Sequence, residues 1–309
     1  MTKYKVETID VCYLANGNKL SLPVHNLIGM EGPTVGISAA IHGDEIIGVE
    51  VIRQLINILK DQEIKGTIRF LPVANPLAFE TLTRHTPIDG NNLNRLFPGD
   101  PNGQLSSKLA SKITEEFLNT IDTFIDIHAG GAFPIVDYVY ILNDEEFSRA
   151  FGSKVLYRPK VHYEGTTAEV TIARGVPSVT LEVGGGPNTK EHIRRNVDGI
   201  LNMLRQKGVI EGEVKHRDDQ IVMTEIANIL AGQGGLMVPN FEFDMVNKVI
   251  EGRQLLATTY NPLTYEVVEE IYTPFEKNFV ILMRGQLNKV HPGDYAFMIG
   301  NLDTAEGNE

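Results

Sequence analysis

Residues 34–59 read TVGISAAIHGDEIIGVEVIRQLINIL, and this stretch limits the fold more than any other. Residues 35–41 are apolar and rich in small and β-branched side chains, the pattern of a buried strand. Val49, Ile52, Leu55, Ile56 and Leu59 then recur at helical spacing and predict an amphipathic helix. A buried strand running straight into such a helix is a unit of an α/β sheet. Between the two lies His42-Gly43-Asp44-Glu45. A His and a Glu three positions apart, one before and one at the start of a helix, can face the same way. Imidazole nitrogen and carboxylate oxygen are both zinc ligands, and Gly43 lets the turn bend sharply. The same four residues also read as a surface turn with Asp44 capping the helix, so the motif gains meaning only beside others.

A chain of 309 residues can bury a large core and accommodates one large domain with a smaller one. It has no run of about 18 apolar residues, so no membrane span is expected. Residues 1–17 lack the apolar centre of a signal peptide. Cys12 is the sole cysteine, which rules out an intrachain disulfide and fits the cytoplasm. It reads as a small buried apolar residue. A formal charge of −12 argues against nucleic acid as a partner. It leaves room for a small anionic substrate, because a few local arginines suffice to hold a carboxylate.

Residues 1–33 form a β-rich lead-in punctuated by glycines, with His25 structural or exposed. GTIRFLPVA, residues 66–74, predicts a strand, and Asn75-Pro76 opens a long loop to residue 103. A long irregular loop is more often functional than idle, and this one carries Arg84, His85, Asp89, Asn91, Asn92, Asn94 and Arg95. Residues 105–120 return to helix, capped by Ser106 or Ser107. TFIDIH, residues 123–128, is a short strand ending at His128 before a glycine turn, the place where α/β sheets hold ligand-binding groups. Asp126 shares a strand face with His128. IVDYVYIL, residues 135–142, and SVTLEV, residues 178–183, predict two further strands. Glu182 in the second is costly to bury unless paired or functional. Residues 188–204 give a helix with Ile193, Val197, Ile200 and Leu204 on one face. The polar segment 206–220 separates this α/β part, residues 1–205, from a smaller all-β part within residues 206–309.

His42, Glu45 and His128 together supply two imidazoles and one carboxylate, a catalytic kind of zinc set with a fourth position for water. Zinc lowers the pKa of bound water and polarises a carbonyl. Glu182 could take the water's proton and pass it to a departing nitrogen. Arg84 or Arg95 could stabilise an oxyanion or clamp a carboxylate.

HGDE at residues 42–45, DGNNLNRLFPG at 89–99, DIHAGG around His128 and LEVGG around Glu182 occur in this order. The set resembles the succinylglutamate desuccinylase/aspartoacylase family, a branch of the zinc carboxypeptidase-like hydrolases. GGLMVPN and VHPGDYAFMIG resemble the small β domain of its bacterial members. The resemblance implies a mixed sheet flanked by helices with a C-terminal all-β domain. It also implies one Zn2+ per chain held by His42, Glu45 and His128, with Glu182 as catalytic acid/base. It further implies that Asn94 and Arg95 hold the substrate carboxylate and that Arg84 polarises the scissile carbonyl. Family members usually carry Asp where this chain has Asn92. An Asp there would orient a zinc-bound His; Asn92 offers only a neutral oxygen, with Asp89 or Asp126 available to compensate.

The sequence thus reads as a cytoplasmic zinc amidohydrolase acting on a linear amide of a small anionic N-acyl amino acid, with a homo-oligomer possible. A zinc metallocarboxypeptidase acting on peptides would use the same ligands. A non-catalytic carrier module is the remaining alternative, with Lys248 as the modified residue, although MVNKVIEG lacks the Met-Lys-Met pattern of biotin carriers.

Overall fold

The computed structural model describes residues 1–131, 134–186, 189–285 and 287–306. The first part contains strands β1 (Lys3–Tyr13), β2 (Lys19–Ile28), β3 (Met30–Ala39), β4 (Lys65–Leu71), β5 (Thr123–His128), β6 (Ile135–Tyr140), β7 (Val155–Tyr157) and β8 (Ser178–Gly184). Its helices are α1 (Ile47–Leu59), α2 (Pro76–Thr81), α3 (Leu105–Glu116), α4 (Glu145–Arg149), α5 (Thr167–Ala173) and α6 (Thr189–Gln206). The expected helix start at Asn188 lies outside the described residues. Among the described residues, the strands that follow are β9 (Ile221–Met223), β10 (Ile226–Leu230), β11 (Gly235–Pro239), β12 (Val249–Glu251), β13 (Leu255–Tyr260), β14 (Val267–Tyr272), β15 (Lys277–Met283), β16 (Asn288–Val290) and β17 (Tyr295–Asn301).

Among the described residues, 13 strands form one mixed sheet whose main path runs β1-β2-β4-β3-β5-β8-β6-β15-β17-β10. Strands β4, β3, β5 and β8 are mutually parallel, and the antiparallel β6 follows them. The four strands β14-β13-β11-β16 make a separate antiparallel sheet. This is the expected architecture of a mixed sheet with helices and a smaller C-terminal β region. The C-terminal strands divide between the two sheets, since β15 pairs directly with β6 through Leu282↔Val136 and Met283↔Ile135.

Helices cover both faces. Val51, Ile52, Leu55 and Leu59 of α1 pack with Val197, Ile200 and Met203 of α6 against Ile37, Ile125, Ile127 and Leu181. Leu109, Ala110 and Ile113 of α3 pack on the other face with Leu22, Leu71 and Phe124. Burial of each such side chain stabilises the fold by roughly 1.5–3 kcal/mol. Because side chains alternate along a strand, Ile125 and Ile127 of β5 face the first layer, while Phe124, Asp126 and His128 face the second.

Several local expectations are corrected. Residues 76–81 are a short helix, not loop: Pro76 sits in its first turn, where a missing N–H is harmless, and Asn75 Oδ1 accepts from Ala78 N. Helix α3 has Gln104 at its N-cap position and no side-chain cap of its own. Asp89 serves from the preceding loop instead, accepting from Ser106 N and Oγ at 2.8 Å each. Asp44 does not cap α1, whose N-cap residue is Ile46. Cys12 is only half-buried. His25 accepts the role expected of it, lying against the Tyr4 ring with Nδ1 2.6 Å from the Tyr4 hydroxyl.

Candidate active site

The site lies at the C-terminal ends of parallel strands β3, β5 and β8, where an α/β sheet opens a crevice. His42 follows β3, His128 ends β5, and Glu182 lies on β8 in direct register with His128. Strand β6 continues the row, because Tyr138 pairs with Glu182. Four side chains from adjacent elements are brought together by strand register and the turn after β3.

That turn is held from outside. Ala40 adopts φ 50°, unusual for a residue with a Cβ, and Ala74 N and Asn75 N donate to Ala39 O and Ala40 O. Gly43 is needed for close approach, since a Cβ there would lie 1.9 Å from the Ala78 carbonyl carbon in α2. The loop after β4 thus fixes the position of His42.

His42, Glu45 and His128 are buried, and one ligand atom from each lies within 4.8 Å of the others. His42 Nδ1 is 2.7 Å from Glu45 Oε1, and His128 Nδ1 is 2.8 Å from Glu45 Oε2. The opposite ring nitrogens are held as well. His42 Nε2 donates to Asn92 Oδ1 at 3.1 Å, and His128 Nε2 donates to Asp126 Oδ2 at 3.1 Å. Asp126 accepts in turn from Ser38 Oγ at 2.6 Å and Thr167 Oγ1 at 2.5 Å.

With both Nε2 atoms donating outward, both Nδ1 atoms turn toward one carboxylate. His42, donating from Nε2, turns an acceptor Nδ1 toward Glu45 Oε1, and acceptor facing acceptor at 2.7 Å requires something positive beside it. Arg84 supplies part of it, with Nη1 3.2 Å from both His42 Nδ1 and Glu45 Oε1. The electrostatics agree. Burial lowers His42 to about 4, keeping it neutral near pH 7. Burial also works against charge on His128, but Asp126 and Glu45 outweigh it and raise the imidazole well above its usual range. Glu45 is held well below the carboxylate range by the two imidazoles, against the effect of burial. Two nitrogens and a carboxylate converging in a buried place fit a divalent metal, so this group is a possible metal site.

Burial pushes the Glu182 carboxyl up to about 8. Asn94 is buried, with Oδ1 accepting from Thr167 N at 3.1 Å. Arg95 is exposed, its guanidinium 4.8 Å from the centre of the Tyr163 ring. All seven residues singled out in the sequence line one cavity of about 160 Å³.

Residues 31–206, more than half of the chain, match the succinylglutamate desuccinylase/aspartoacylase catalytic domain. The chain belongs to the succinylglutamate desuccinylase/aspartoacylase family. It is 27% identical over 297 residues to the N-alpha-acetyl-L-2,4-diaminobutyric acid deacetylase of Halomonas elongata, spanning 91% of this chain and 86% of that one. The product-bound structure of the ectoine utilization protein EutE (DoeB) from Ruegeria pomeroyi shares the fold, with a TM-score of 0.85 at 21% identity over 96% of this chain and 95% of that one. A succinylglutamate desuccinylase/aspartoacylase from Rhodobacter sphaeroides gives a TM-score of 0.82 at 25% identity over 96% and 95% of the two chains. The family is one of deacylases acting on N-acyl amino acids.

Within that family frame, the position of Asn92 is informative. It stands behind His42, where a charged partner was expected, and it also accepts from Asn94 N at 3.0 Å. Asp89 is engaged at α3 and does not reach the cluster. Asp126 backs the other imidazole. Sequence reading missed Ser38 and Thr167, which fix Asp126, and the tyrosines of the cavity wall. Ser38 had a signal: it is a polar residue inside an apolar strand, and it pairs with Asp126 in register.

Proposed function

We propose that this chain is a zinc-dependent hydrolase of a linear amide, releasing a carboxylate and an amine from a small N-acyl amino acid. The observation that carries the reading is the buried convergence of His42, Glu45 and His128, each imidazole fixed from behind. These three residues would hold zinc. A bound zinc supplies Lewis acidity, which polarises a carbonyl and acidifies water.

The chain's own residues account for the rest. Glu182 takes a proton from the attacking water and returns it to the departing nitrogen. Its carboxyl, raised to about 8 by burial, lies where one group can both accept and release a proton near neutral pH. Arg84, already at the cluster, stabilises charge developing on the carbonyl oxygen. Asn94 and Arg95 hold the substrate carboxylate. Residues 1–205 carry this chemistry, while the part from 206 to 309 narrows the cavity through Leu282, Tyr295 and Met298. The carrier alternative finds little support at Lys248, because MVNKVIEG lacks the Met-Lys-Met pattern of biotin carriers. No described helix is long and apolar enough to cross a membrane, and with a single cysteine we assign the enzyme to the cytoplasm.

The test is metal content by elemental analysis beside amide hydrolysis, on wild type and His42→Ala. Near one zinc per chain, lost in the variant together with activity, is expected. Wild type that binds no zinc when offered it overturns the metallohydrolase. Glu182→Gln should keep its zinc and lose activity by roughly 10²–10⁴-fold; full activity would remove Glu182 from the mechanism.

A further inference from the structure

The cavity is unequal in charge from one wall to another. Among the described lining residues, Arg84 and Arg95 alone carry a permanent positive charge. The residues outside the description, Ala132, Phe133, Pro187, Asn188, Gln286 and residues 307–309, include no lysine or arginine. Arg84 is at the reacting end, with Nη1 3.2 Å from Glu45 Oε1. Arg95 stands beside Asn94 and over Tyr163. One guanidinium is therefore left to hold a carboxylate away from the chemistry.

The remaining wall is of another kind. Val136, Tyr138 and Tyr140 project from one face of β6, by the strand period of two. Ala168 and Ile172 lie one turn apart on α5, and Leu142 extends the same lining. The hydroxyls of Tyr138 and Tyr140 hydrogen-bond to each other at 3.0 Å. The acids Glu169 and Glu182 also line the cavity, and His162 stands exposed at its margin. A carboxylate pressed against this wall would lose its hydration with no fixed cation to replace it, which is strongly unfavourable.

We infer that the substrate carries one carboxylate, the one facing Asn94 and Arg95, and no negative charge at its other end. This rests on the deacylase reading and narrows it. It excludes N-acylated dicarboxylic amino acids and N-succinyl compounds as preferred substrates. It favours amino acids with a neutral or cationic side chain bearing a short uncharged acyl group.

The experiment compares kcat/KM of the zinc-loaded full chain on N-acetyl-L-norvaline and N-alpha-acetyl-L-2,4-diaminobutyrate with that on N-acetyl-L-aspartate and N-succinyl-L-glutamate. A preference of about 100-fold or more for the first pair is expected, the scale on which a site rejects a group it cannot satisfy. Equal or better turnover of the second pair overturns this inference and leaves the deacylase standing. No turnover of either pair overturns both. Leu142→Arg adds the missing cation and should shrink the preference at least tenfold. An unchanged ratio in the folded variant counts against the assignment of that wall. Calorimetry on wild type supplies a readout without a variant: L-norvaline should bind more tightly than L-aspartate, and the reverse order overturns the inference.

Discussion

Asn92 shows how much one oxygen can decide. It accepts from His42 Nε2 and so leaves Nδ1 facing Glu45, but it does so without charge. Asp126 performs the corresponding task behind His128 as a carboxylate, with two hydroxyls holding it. Asn92→Asp should therefore tighten zinc binding, by up to roughly 10–100-fold, the range over which such supporting residues act. The new carboxylate can still accept from Asn94 N, so the turn is retained. Competition against a chelator measures it; unchanged or weaker affinity would show that the neutral oxygen suffices. The two histidines were legible in the sequence because each ends an apolar strand just before a glycine turn, where a lone polar residue is conspicuous, and Glu45 because it stands three residues after His42 at the start of a helix. Thr167 was not legible. It lies in a polar stretch with nothing to mark it, and only the packing of α5 beside β5 brings its hydroxyl to Asp126.

At the scale of elements, strands and long helices followed from periodicity, whereas helix ends did not. Their capping groups come from distant positions: Asp89 serves α3 from the preceding loop, and no spacing rule links residues 17 apart. Gly43 was read as a bending residue, but its burden is proximity to α2. Gly43→Ala should push α2 and His42 apart, losing zinc and lowering the melting temperature together. A variant with wild-type zinc content would argue against that coupling. Asp144 caps α4 by accepting from Phe147 N and also binds Lys207 Nζ at 2.6 Å, just beyond the end of α6. Burial works to raise its carboxyl, but Lys207 and the Phe147 N–H hold it below the usual range. A depressed folded-state pKa adds stability above the unfolded value near 3.8 that is lost as pH falls through the folded value. Asp144→Asn keeps the cap and removes the charge. It should cost roughly 1–2 kcal/mol near pH 7, with the difference from wild type closing as pH falls below 3.8 and through the lowered folded value. Thermal melts across pH measure this.

The whole molecule is joined where sequence reading placed a boundary in composition. Asp137 on β6 is buried and accepts from Arg195 of α6, from Ser153 Oγ at 3.2 Å and from Asn247 Nδ2 at 2.6 Å. Arg195→Met would leave that carboxylate without its cation and should destabilise the protein by roughly 3–5 kcal/mol, as breaking a buried pair does; denaturant unfolding tests it. A polar segment at 206–220 signals a change of composition, but pairing between distant strands has no local signature. Val136 and Tyr138 share one apolar cluster with Phe279, Ile281, Leu282 and Met298. The union of β15 with β6 also shapes how the chain can be made and cut. A polypeptide ending at residue 205 would leave Ile135 and Val136 at the start of β6, and the β9-facing side of β7, without their strand partners, beside an uncovered apolar face, and such a margin recruits other chains. That fragment, for all its complement of ligands, should be recovered as aggregate, and supplying residues 206–309 as a separate chain during refolding should return soluble protein.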